Sequence, residues 1–365
     1  FLSLCSANLP SGAIDTLADE TPEDYFNTVL YTGNSSTNAI TGVGFQPDWT
    51  WIKNRSGANS HILHDVIRGN NSLSSNLTNA EINQSAYWNG FNADGFEVTG
   101  TVGEYNASGS TYASWNWKAG GTGVSNTDGS ITSTVSAAET SQGDKWFSVV
   151  KWTGNATAGA TVGHGLTSQP RLIITKNMDV ATDWSVLAQD ANNGSGHLGY
   201  IRLNLTAAWA STSILWNNTE PTSSVFTLGS YGYVNGSGQD IIAYCFANAE
   251  GLCKVGSYVG SSFVYTGFRP AFVLIKKASG GTFASGQSDW VLYDGTRNPS
   301  NPTDLELVPN SSQVEDTYGT GGEDIDMLSN GFKILTSSSQ MTGTSTYEYI
   351  YLAIAEQPFK YANAR

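Results

Sequence analysis

The sequence predicts an all-β protein. Of its 365 residues, 13% are charged, 12% are aromatic and 40 are glycine, a composition rich in strand and turn formers and poor in helix formers. No long segment places apolar residues at the 3.6-residue spacing of an amphipathic helix. We therefore expect short helices at most.

The chain also repeats itself, which predicts three tandem sandwich-like units of a jelly-roll-like kind. Five sequence blocks recur in the same order, and the clearest is a strand that begins near a Pro and ends in a Lys. It reads GFQPDWTWIKN from Gly44, LTSQPRLIITKN from Leu166 and GFRPAFVLIKKA from Gly267. The Pro precedes the Lys by six residues in each copy, so we align Lys53, Lys176 and Lys276.

The spacing of these blocks sets the domain boundaries. It predicts a connecting arm at 1–27, a first repeat at 28–124, a linker at 125–145, a second repeat at 146–250 and a third at 251–365. The linker is rich in Gly, Ser and Thr and has room for one short strand. The second joint is tight, so the last two repeats should touch. The chain opens with neither a Met nor a basic leader, as expected of a fragment of a longer protein.

The recurring strand is expected to lie in a core. Alternation places Trp49 and Trp51 on one face, and the matching residues of the other copies are also apolar. These are Leu172, Ile174, Phe272 and Leu274. The alternative is an aromatic platform on which a sugar stacks. The Lys at the strand end is expected to snorkel into solvent.

Two further blocks align the copies. An apolar strand ends in Asp65, Asp190 and Asp294. The closing strand, aligned at Gly109, Gly238 and Gly343, places Trp115 in register with Tyr244 and Tyr349, and Trp117 with Phe246 and Tyr351.

Charge and cysteine usage exclude several partners. A net charge of −14 leaves too few clustered cations for a nucleic-acid partner. No apolar run is long enough for membrane insertion. Cys5, Cys245 and Cys253 lack the spacing of metal ligands. A local disulfide between Cys245 and Cys253 is the alternative to the free thiols and assembly in a reducing compartment that we expect.

Catalytic motifs are missing from the sequence, which predicts a protein that is not an enzyme and needs no cofactor. No HExxH motif occurs, and no GxSxG motif stands between a strand and a helix. One acidic cluster, Glu323, Asp324 and Asp326, lies in a Gly-rich loop and is a weak candidate for binding Ca²⁺ through oxygen ligands. Glycoside hydrolysis by this cluster is disfavoured because the other copies lack equivalent acids.

Sugar recognition suits the remaining surface, which is rich in amides, hydroxyls and aromatic rings. The candidate ligand-binding residues are loop aromatics outside the repeating apolar register. They are Trp88, Trp209, Trp216, Tyr231 and Tyr233. The alternative for each is a structural role, since Trp is usually largely buried. We expect one or two of the five to be functional.

Long stretches of the chain resemble a family of domains in virion proteins of marine bacteriophages, including those that infect cyanobacteria. They are YFNTVLYTGNSSTNAITGVGFQPDWTWIKNRSGANSH, GFNADGFEVTG, NASGSTYASWNWKAGG and VVKWTGNATAGATVGHGL, and the likeness runs from Tyr25 over nearly the whole chain. The arm FLSLCSANLP is similar to the segment that follows an upstream SPRY or lectin-like domain in such proteins, and AEQPFKYANAR is similar to their C-terminus. The resemblance implies a trimeric tail fibre or other virion appendage that contacts the host. It supplies no catalytic residues.

Three functions follow as hypotheses. The first is a host-attachment module of the virion, assembled in the host cytoplasm, that binds a cell-surface glycan or receptor. The second is a purely structural virion protein, a capsid decoration or fibre spacer, that contacts only other virion subunits. The third is a glycan-degrading tailspike, which would need a carboxylate pair lining a groove.

Overall fold

The computed structural model describes residues 20–260, 262–284, 286–317, 323–343 and 346–356. Over these residues the chain forms twenty-eight strands, two helices of four residues and short 3-10 turns at Pro22–Asp24 and Gly196–Leu198. The prediction of an all-β fold is confirmed. None of the described helices has the length and apolar character needed to cross a membrane.

The strands fall into three units that follow one another along the chain. The first unit holds β1 (Phe26–Thr32), β2 (Asn38–Ile40), β3 (Trp49–Asn54), β4 (Ile62–Asp65), β5 (Asn71–Ser72), β6 (Ile82–Asn83), β7 (Trp88–Asn92), β8 (Gly95–Val98) and β9 (Thr111–Trp117). The segment predicted as a linker with one short strand has two, β10 (Val124–Asn126), which begins one residue before the predicted boundary, and β11 (Ser133–Ser136).

The second unit holds β12 (Phe147–Thr153), β13 (Thr161–Gly163), β14 (Leu172–Asn177), β15 (Ser185–Ala188), α1 (Ala191–Gly194), β16 (Gly199–Arg202), β17 (Ala210–Ser211), β18 (Val225–Thr227), α2 (Gly232–Asn235) and β19 (Asp240–Phe246). The third unit holds β20 (Cys253–Val259), β21 (Phe263–Tyr265), β22 (Pro270–Ser279), β23 (Trp290–Asp294), β24 (Leu305–Glu306), β25 (Asp316–Thr317), β26 (Ile325–Leu328), β27 (Gly331–Ile334) and β28 (Glu348–Ala355).

One antiparallel strand order occurs in each unit. It runs β1-β9-β3-β4 in the first, β12-β19-β14-β15 in the second and β20-β28-β22-β23 in the third. In the second unit β10 and β11 extend this sheet on one side, and β16 and β17 extend it on the other. A smaller sheet packs on one face of each large sheet through an apolar cluster of its own. The small sheets are β2-β8-β7, β13-β18 and β21-β27-β26.

The other faces of the three large sheets meet in one central apolar cluster. Trp49 and Trp51 of β3 belong to it together with Leu172 of β14 and Phe272 of β22. The Trp49 ring lies 4.2 Å from the Tyr244 ring, measured between centroids. Trp49 and Trp51 are each 1% exposed, so they are core residues as expected. That core is shared by all three units.

The closing strand of the third unit pairs in a different register from the predicted one. Trp51 pairs with Trp115 in the first unit, Ile174 with Tyr244 in the second, and Leu274 with Leu352 in the third. Leu352 therefore matches Trp115, where Tyr349 was expected, and Ile354 matches Trp117, where Tyr351 was expected. The shift of three residues turns Tyr349 and Tyr351 into the third unit's own cluster.

The three recurring lysines are buried, which contradicts the expectation that they snorkel into solvent. Each Nζ donates a hydrogen bond to a backbone carbonyl of another unit. Lys53 reaches Ser312 at 3.1 Å, Lys176 reaches Thr78 at 3.1 Å and Lys276 reaches Thr206 at 3.0 Å. These bonds run from the first unit to the third, from the second to the first and from the third to the second. The three units are thus joined in a closed ring.

A backbone hydrogen bond accompanies each of these lysines. The amides of Glu81, Trp209 and Glu315 donate to the carbonyls of Met178, Ala278 and Arg55, each at 2.9 Å. In each joint, the residue that donates its amide lies three positions after the residue whose carbonyl binds the lysine. The residue that accepts this bond lies two positions after the lysine. The same geometry at all three joints gives the ring an internal threefold character.

Buried ion pairs reinforce two of the joints. Asp65 and Arg68 form a pair 2.6 Å apart, and Asp65 also accepts the Tyr244 hydroxyl of the second unit at 2.9 Å. Asp294 pairs with Arg297 in the same way and accepts the Trp115 indole of the first unit at 2.9 Å.

The third joint has no such pair among the described residues. In the first unit, Asp65 pairs with Trp49 in the β-ladder. At the same position in the second unit, the residue that pairs with Leu172 is Ala188, where Asp190 was predicted. Across this joint, Leu352 occupies the position that Tyr244 and Trp115 occupy at the other two joints. Ala188 and Leu352 are both apolar and belong to the central cluster. Acceptor and donor are thus replaced together, which avoids leaving either buried without a partner.

Candidate functional site

Two of the five candidate aromatics are core residues, which corrects their assignment to surface loops. Trp88 is 1% exposed and stacks on the buried His64, with centroids 4.0 Å apart. Trp216 is fully buried in the cluster of the second unit. Burial leaves neither indole face accessible to a ligand at the surface.

A third candidate, Trp209, lies at the joint between the second and third units. Its backbone amide donates to Ala278, and its partly buried indole packs against the central cluster. Its Nε1 donates to the Gly196 carbonyl at 3.4 Å. These contacts give Trp209 a structural role in the ring.

Tyr231 and Tyr233 lie around the single turn of α2 in the second unit, where Tyr231 is exposed and Tyr233 is half-buried against the apolar cluster of that unit. Their ring centroids are 4.5 Å apart, and the Tyr231 side chain is 36% exposed. The Asn235 amide donates to the Tyr231 carbonyl at 2.9 Å, and the Tyr231 amide donates to Ile214 at 3.0 Å. The backbone that carries the two rings is therefore held at both ends.

Two residues that were not predicted from the sequence adjoin these rings, the half-buried Tyr200 and the buried Arg202. The guanidinium carbon of Arg202 lies 4.1 Å from the centroid of the Tyr200 ring and 4.8 Å from that of the Tyr233 ring. Cation–π attraction therefore holds Arg202 between the two rings. The sequence signal that could have identified them is the alternation of side chains along β16, which places Tyr200 and Arg202 on one face. We call Tyr200, Arg202, Tyr231 and Tyr233 the tyrosine surface.

The tyrosine surface is confined to the second unit among the described residues. A turn closed by an amide-to-carbonyl bond, Asn235 to Tyr231, recurs as Asn106 to Val102 and as Thr342 to Ser338. Tyr231 and Tyr233 accordingly correspond to Val102 and Glu104 in the first unit and to Ser338 and Gln340 in the third. The two rings are thus a feature that the other units do not share.

An acidic side chain lies near this surface. Asp183, whose charge acts on Tyr233, accepts a hydrogen bond from the buried Asn204 amide at 2.8 Å. Burial, a hydrogen bond with Tyr231 and the charges of Tyr231 and Asp183 raise the pKa of Tyr233. The Tyr233 hydroxyl is therefore protonated at neutral pH, and it can both donate and accept a hydrogen bond. Such an arrangement can stack on the apolar face of a sugar ring and bond to its hydroxyls.

The acidic candidates Glu323, Asp324 and Asp326 point to different neighbours. The backbone carbonyl of Glu323 accepts the Tyr293 hydroxyl, and Asp326 stands opposite Lys333 in the ladder of β26 and β27. Burial raises the pKa of Asp324. Over the described ranges, no group of three or more His, Cys, Asp or Glu residues is arranged to hold a metal ion. Calcium binding stays a prediction.

Two of the three cysteines are free and buried, Cys245 in the second unit and Cys253 in the third. Burial raises the pKa of the Cys245 thiol to about 12 and that of the Cys253 thiol further. Both thiols are therefore protonated and unreactive at neutral pH. Cys5 lies outside the described residues.

Comparison with known proteins gives one match. The sequence profile of a domain of unknown function, DUF7483, matches residues 21–358, a range that contains all twenty-eight strands. Searches of curated proteins and of solved structures found no match. Because the profile covers most of the chain and all three units, the protein belongs to the DUF7483 family.

Proposed function

We propose that the chain is a non-catalytic module of a phage virion appendage that attaches to the host by binding a surface glycan. The observation that carries the proposal is the tyrosine surface, where the exposed Tyr231 ring lies next to the half-buried Tyr233 ring. Of the five candidate aromatics, Trp88 and Trp216 lie in the core and Trp209 lies at a joint. The two that remain accessible lie next to each other.

The tyrosine surface is suited to sugar binding because it is ordered before a ligand arrives. The Arg202 guanidinium contacts the Tyr233 ring, and two hydrogen bonds of the Tyr231 backbone hold the turn in place. Tyrosine offers a large amphipathic contact area at a low cost in conformational entropy. The Asp183 carboxylate, whose charge acts on Tyr233, supplies an acceptor for sugar hydroxyls.

The virion context of the proposal rests on the sequence resemblance and on two features that agree with it. Free, buried thiols are compatible with assembly in a reducing cytoplasm, and the net charge of −14 favours solubility. The other virion subunits and a homotrimer of this chain are the further partners that we propose.

A glycan array tests the binding. The full chain should bind a restricted set of glycans, and Tyr231→Ala combined with Tyr233→Ala should abolish that binding. Leu77→Ala is the matched control, because Leu77 is an exposed apolar side chain (37%) of the first unit, and it should bind like the wild type. Absence of binding at high protein concentration would reject glycan attachment and favour the spacer role. Release of shorter sugars in a product analysis would favour the tailspike.

A further inference from the structure

The outer edge of β1 has unpaired backbone groups. Among the described strands β1 pairs with β9 alone, and bonds to the residues that flank β9 are made by Tyr25, just before β1, and Gly33, just after it. Because backbone groups alternate in direction along a strand, the amides and carbonyls of Thr28 and Leu30 point away from β9. The Thr32 carbonyl accepts a side-chain amide, whereas Thr28 and Leu30 have no backbone partner on that side in the described ranges.

The equivalent edges of the other two units have partners. In the second unit the counterpart of Thr28 is Val149, because β12 pairs with β19 in the register in which β1 pairs with β9. Strand β11 runs antiparallel along this edge and places Ser136 opposite Val149. In the third unit the counterpart is Val255, whose amide donates to the Asn248 side chain at 2.7 Å. Over the described residues, the first unit alone has nothing bonded at this position.

Side chains next to the β1 edge are less covered than their counterparts. Val29 and Tyr31 pack against the outer cluster of the first unit but are only half-buried. Val150 and Trp152 hold the same positions in the second unit and are 0% and 2% exposed. Val135 of β11 belongs to the cluster that covers them. The open edge therefore leaves apolar surface uncovered as well as backbone groups unpaired.

A cavity of about 180 Å³ lies beside the start of β1, between the first and third units. Thr28 lines this cavity, and its buried Oγ1 has no hydrogen-bond partner among the residues that the structure describes. The charged residues of the lining are Glu23, Glu356 and Arg269, so two carboxylates accompany one guanidinium. The cavity therefore favours an occupant that brings a hydroxyl group to Thr28 and carries a positive charge.

We propose that the edge of β1 binds an extended segment of a protein partner, which adds to the sheet antiparallel to β1 as β11 adds to β12. Main-chain hydrogen bonds to Thr28 and Leu30 supply affinity, and side chains at alternate positions supply selectivity. The pairing of β11 and the cavity define the chemistry of the segment. It carries a β-branched apolar residue opposite Val29, a hydroxyl residue opposite Thr28 and then a Lys or Arg whose cation enters the cavity.

The peptide ITSTVSK, which is the linker sequence 131–136 followed by Lys, is the probe. Labelled at one end, it should bind the full chain in fluorescence anisotropy, and Leu30→Pro should weaken the binding by about tenfold, the effect of losing one hydrogen bond. Proline removes the outward amide of Leu30 but is tolerated at a strand edge. Leu30→Val keeps the amide and an apolar side chain, and it should bind like the wild type. The control peptide ITSTVSE should bind more weakly than ITSTVSK.

Hydrogen exchange resolved by residue provides a second readout on the wild type. In the free chain the Leu30 amide should exchange faster than those of Val29 and Tyr31, which bond to β9. The peptide ITSTVSK should slow exchange at Leu30 and leave Lys151 of β12 unchanged, because β11 already pairs with it.

Three results would overturn the proposal. They are failure of ITSTVSK to bind, equal binding by a folded Leu30→Pro variant, and a Leu30 amide that is already protected in the free chain. Equal binding of ITSTVSK and ITSTVSE would overturn the assignment of the cavity to a cation. No glycan enters these assays, so their result is independent of the proposed attachment.

Discussion

At the scale of single residues, the recurring lysine is the main difference between sequence and structure. Its position at a strand end predicts a side chain that reaches solvent. Lys176 is instead held by Asn177, Val180 and Thr182 of its own unit and by Thr78 of the first unit. At the other two joints one acceptor likewise comes from another unit, Ser312 for Lys53 and Thr206 for Lys276. A periodicity argument within one repeat cannot detect a partner that another repeat supplies.

Replacing Lys176 by Met should therefore destabilise the fold. The carbonyls of Thr78, Asn177 and Val180 would each lose a donor, and buried unsatisfied acceptors cost about 1–3 kcal/mol each. Burial of the Met side chain offsets part of this, so we expect the free energy of unfolding to fall by about 2–4 kcal/mol. Urea titration measures it. Lys333→Met, on an exposed position, is the control, and an equal effect of both substitutions would contradict the joint's role.

The buried lysines should also make stability depend on pH. Burial lowers the pKa of Lys276 to about 7 and those of Lys53 and Lys176 to about 8. Between pH 7 and the ordinary lysine pKa, the unfolded chain binds a proton that folded Lys276 does not bind, so raising the pH favours the folded state.

The unfolding free energy of the wild type minus that of Lys276→Met should accordingly increase from pH 7 to 9.5. The slope should approach about 1.4 kcal/mol per pH unit. The difference removes contributions that both proteins share, such as those of the buried thiols. A difference that stays flat over this range would show that Lys276 titrates normally.

At the scale of strands and joints, sequence comparison predicts where strands lie better than how they pair. Alternation and the Pro-to-Lys spacing located β3, β14 and β22 and the burial of Trp49 and Trp51. The register of β28 was missed because Leu352 lies nine residues after Gly343, whereas Trp115 and Tyr244 lie six residues after Gly109 and Gly238. Because side chains alternate along a strand, this odd shift also moves Tyr349 and Tyr351 to the other face.

The joint between the first and second units can be tested through Tyr244. Its hydroxyl donates to Asp65 and accepts from Arg68, and hydrogen bonds to charged groups contribute about 1.5–3 kcal/mol each to stability. Tyr244→Phe should lower the free energy of unfolding by about that amount. Tyr87→Phe, whose hydroxyl bonds to none of the described residues, should change it by less than about 0.5 kcal/mol. Similar losses in both variants would indicate that the Tyr244 hydroxyl contributes nothing.

At the scale of the whole molecule, the ring is closed between its first and last units. Glu315 of the third unit accepts three hydrogen bonds from Arg55 of the first, at 2.8, 3.0 and 2.7 Å, and one from Arg297 at 2.9 Å. This contact spans 260 residues of chain. Neither it nor the shared central cluster has a local sequence signal, which is why the sequence predicts three units without predicting their arrangement.

Closure of the ring should make unfolding cooperative. Each unit contributes a whole sheet face to the central cluster, so the loss of one unit exposes the apolar faces of the other two. We expect one urea transition, with tryptophan fluorescence and far-ultraviolet circular dichroism coinciding. Two separated transitions would mean that the units are stable on their own.

Residues that the three units share hold the ring, whereas the tyrosine surface belongs, among the described residues, to the second unit alone. The most direct test measures glycan binding and unfolding free energy on the same two variants. Tyr231→Ala with Tyr233→Ala should abolish binding at a small cost in stability, whereas Lys176→Met should lose stability and, while folded, bind like the wild type. Wild-type glycan binding by the tyrosine double variant would contradict the central claim.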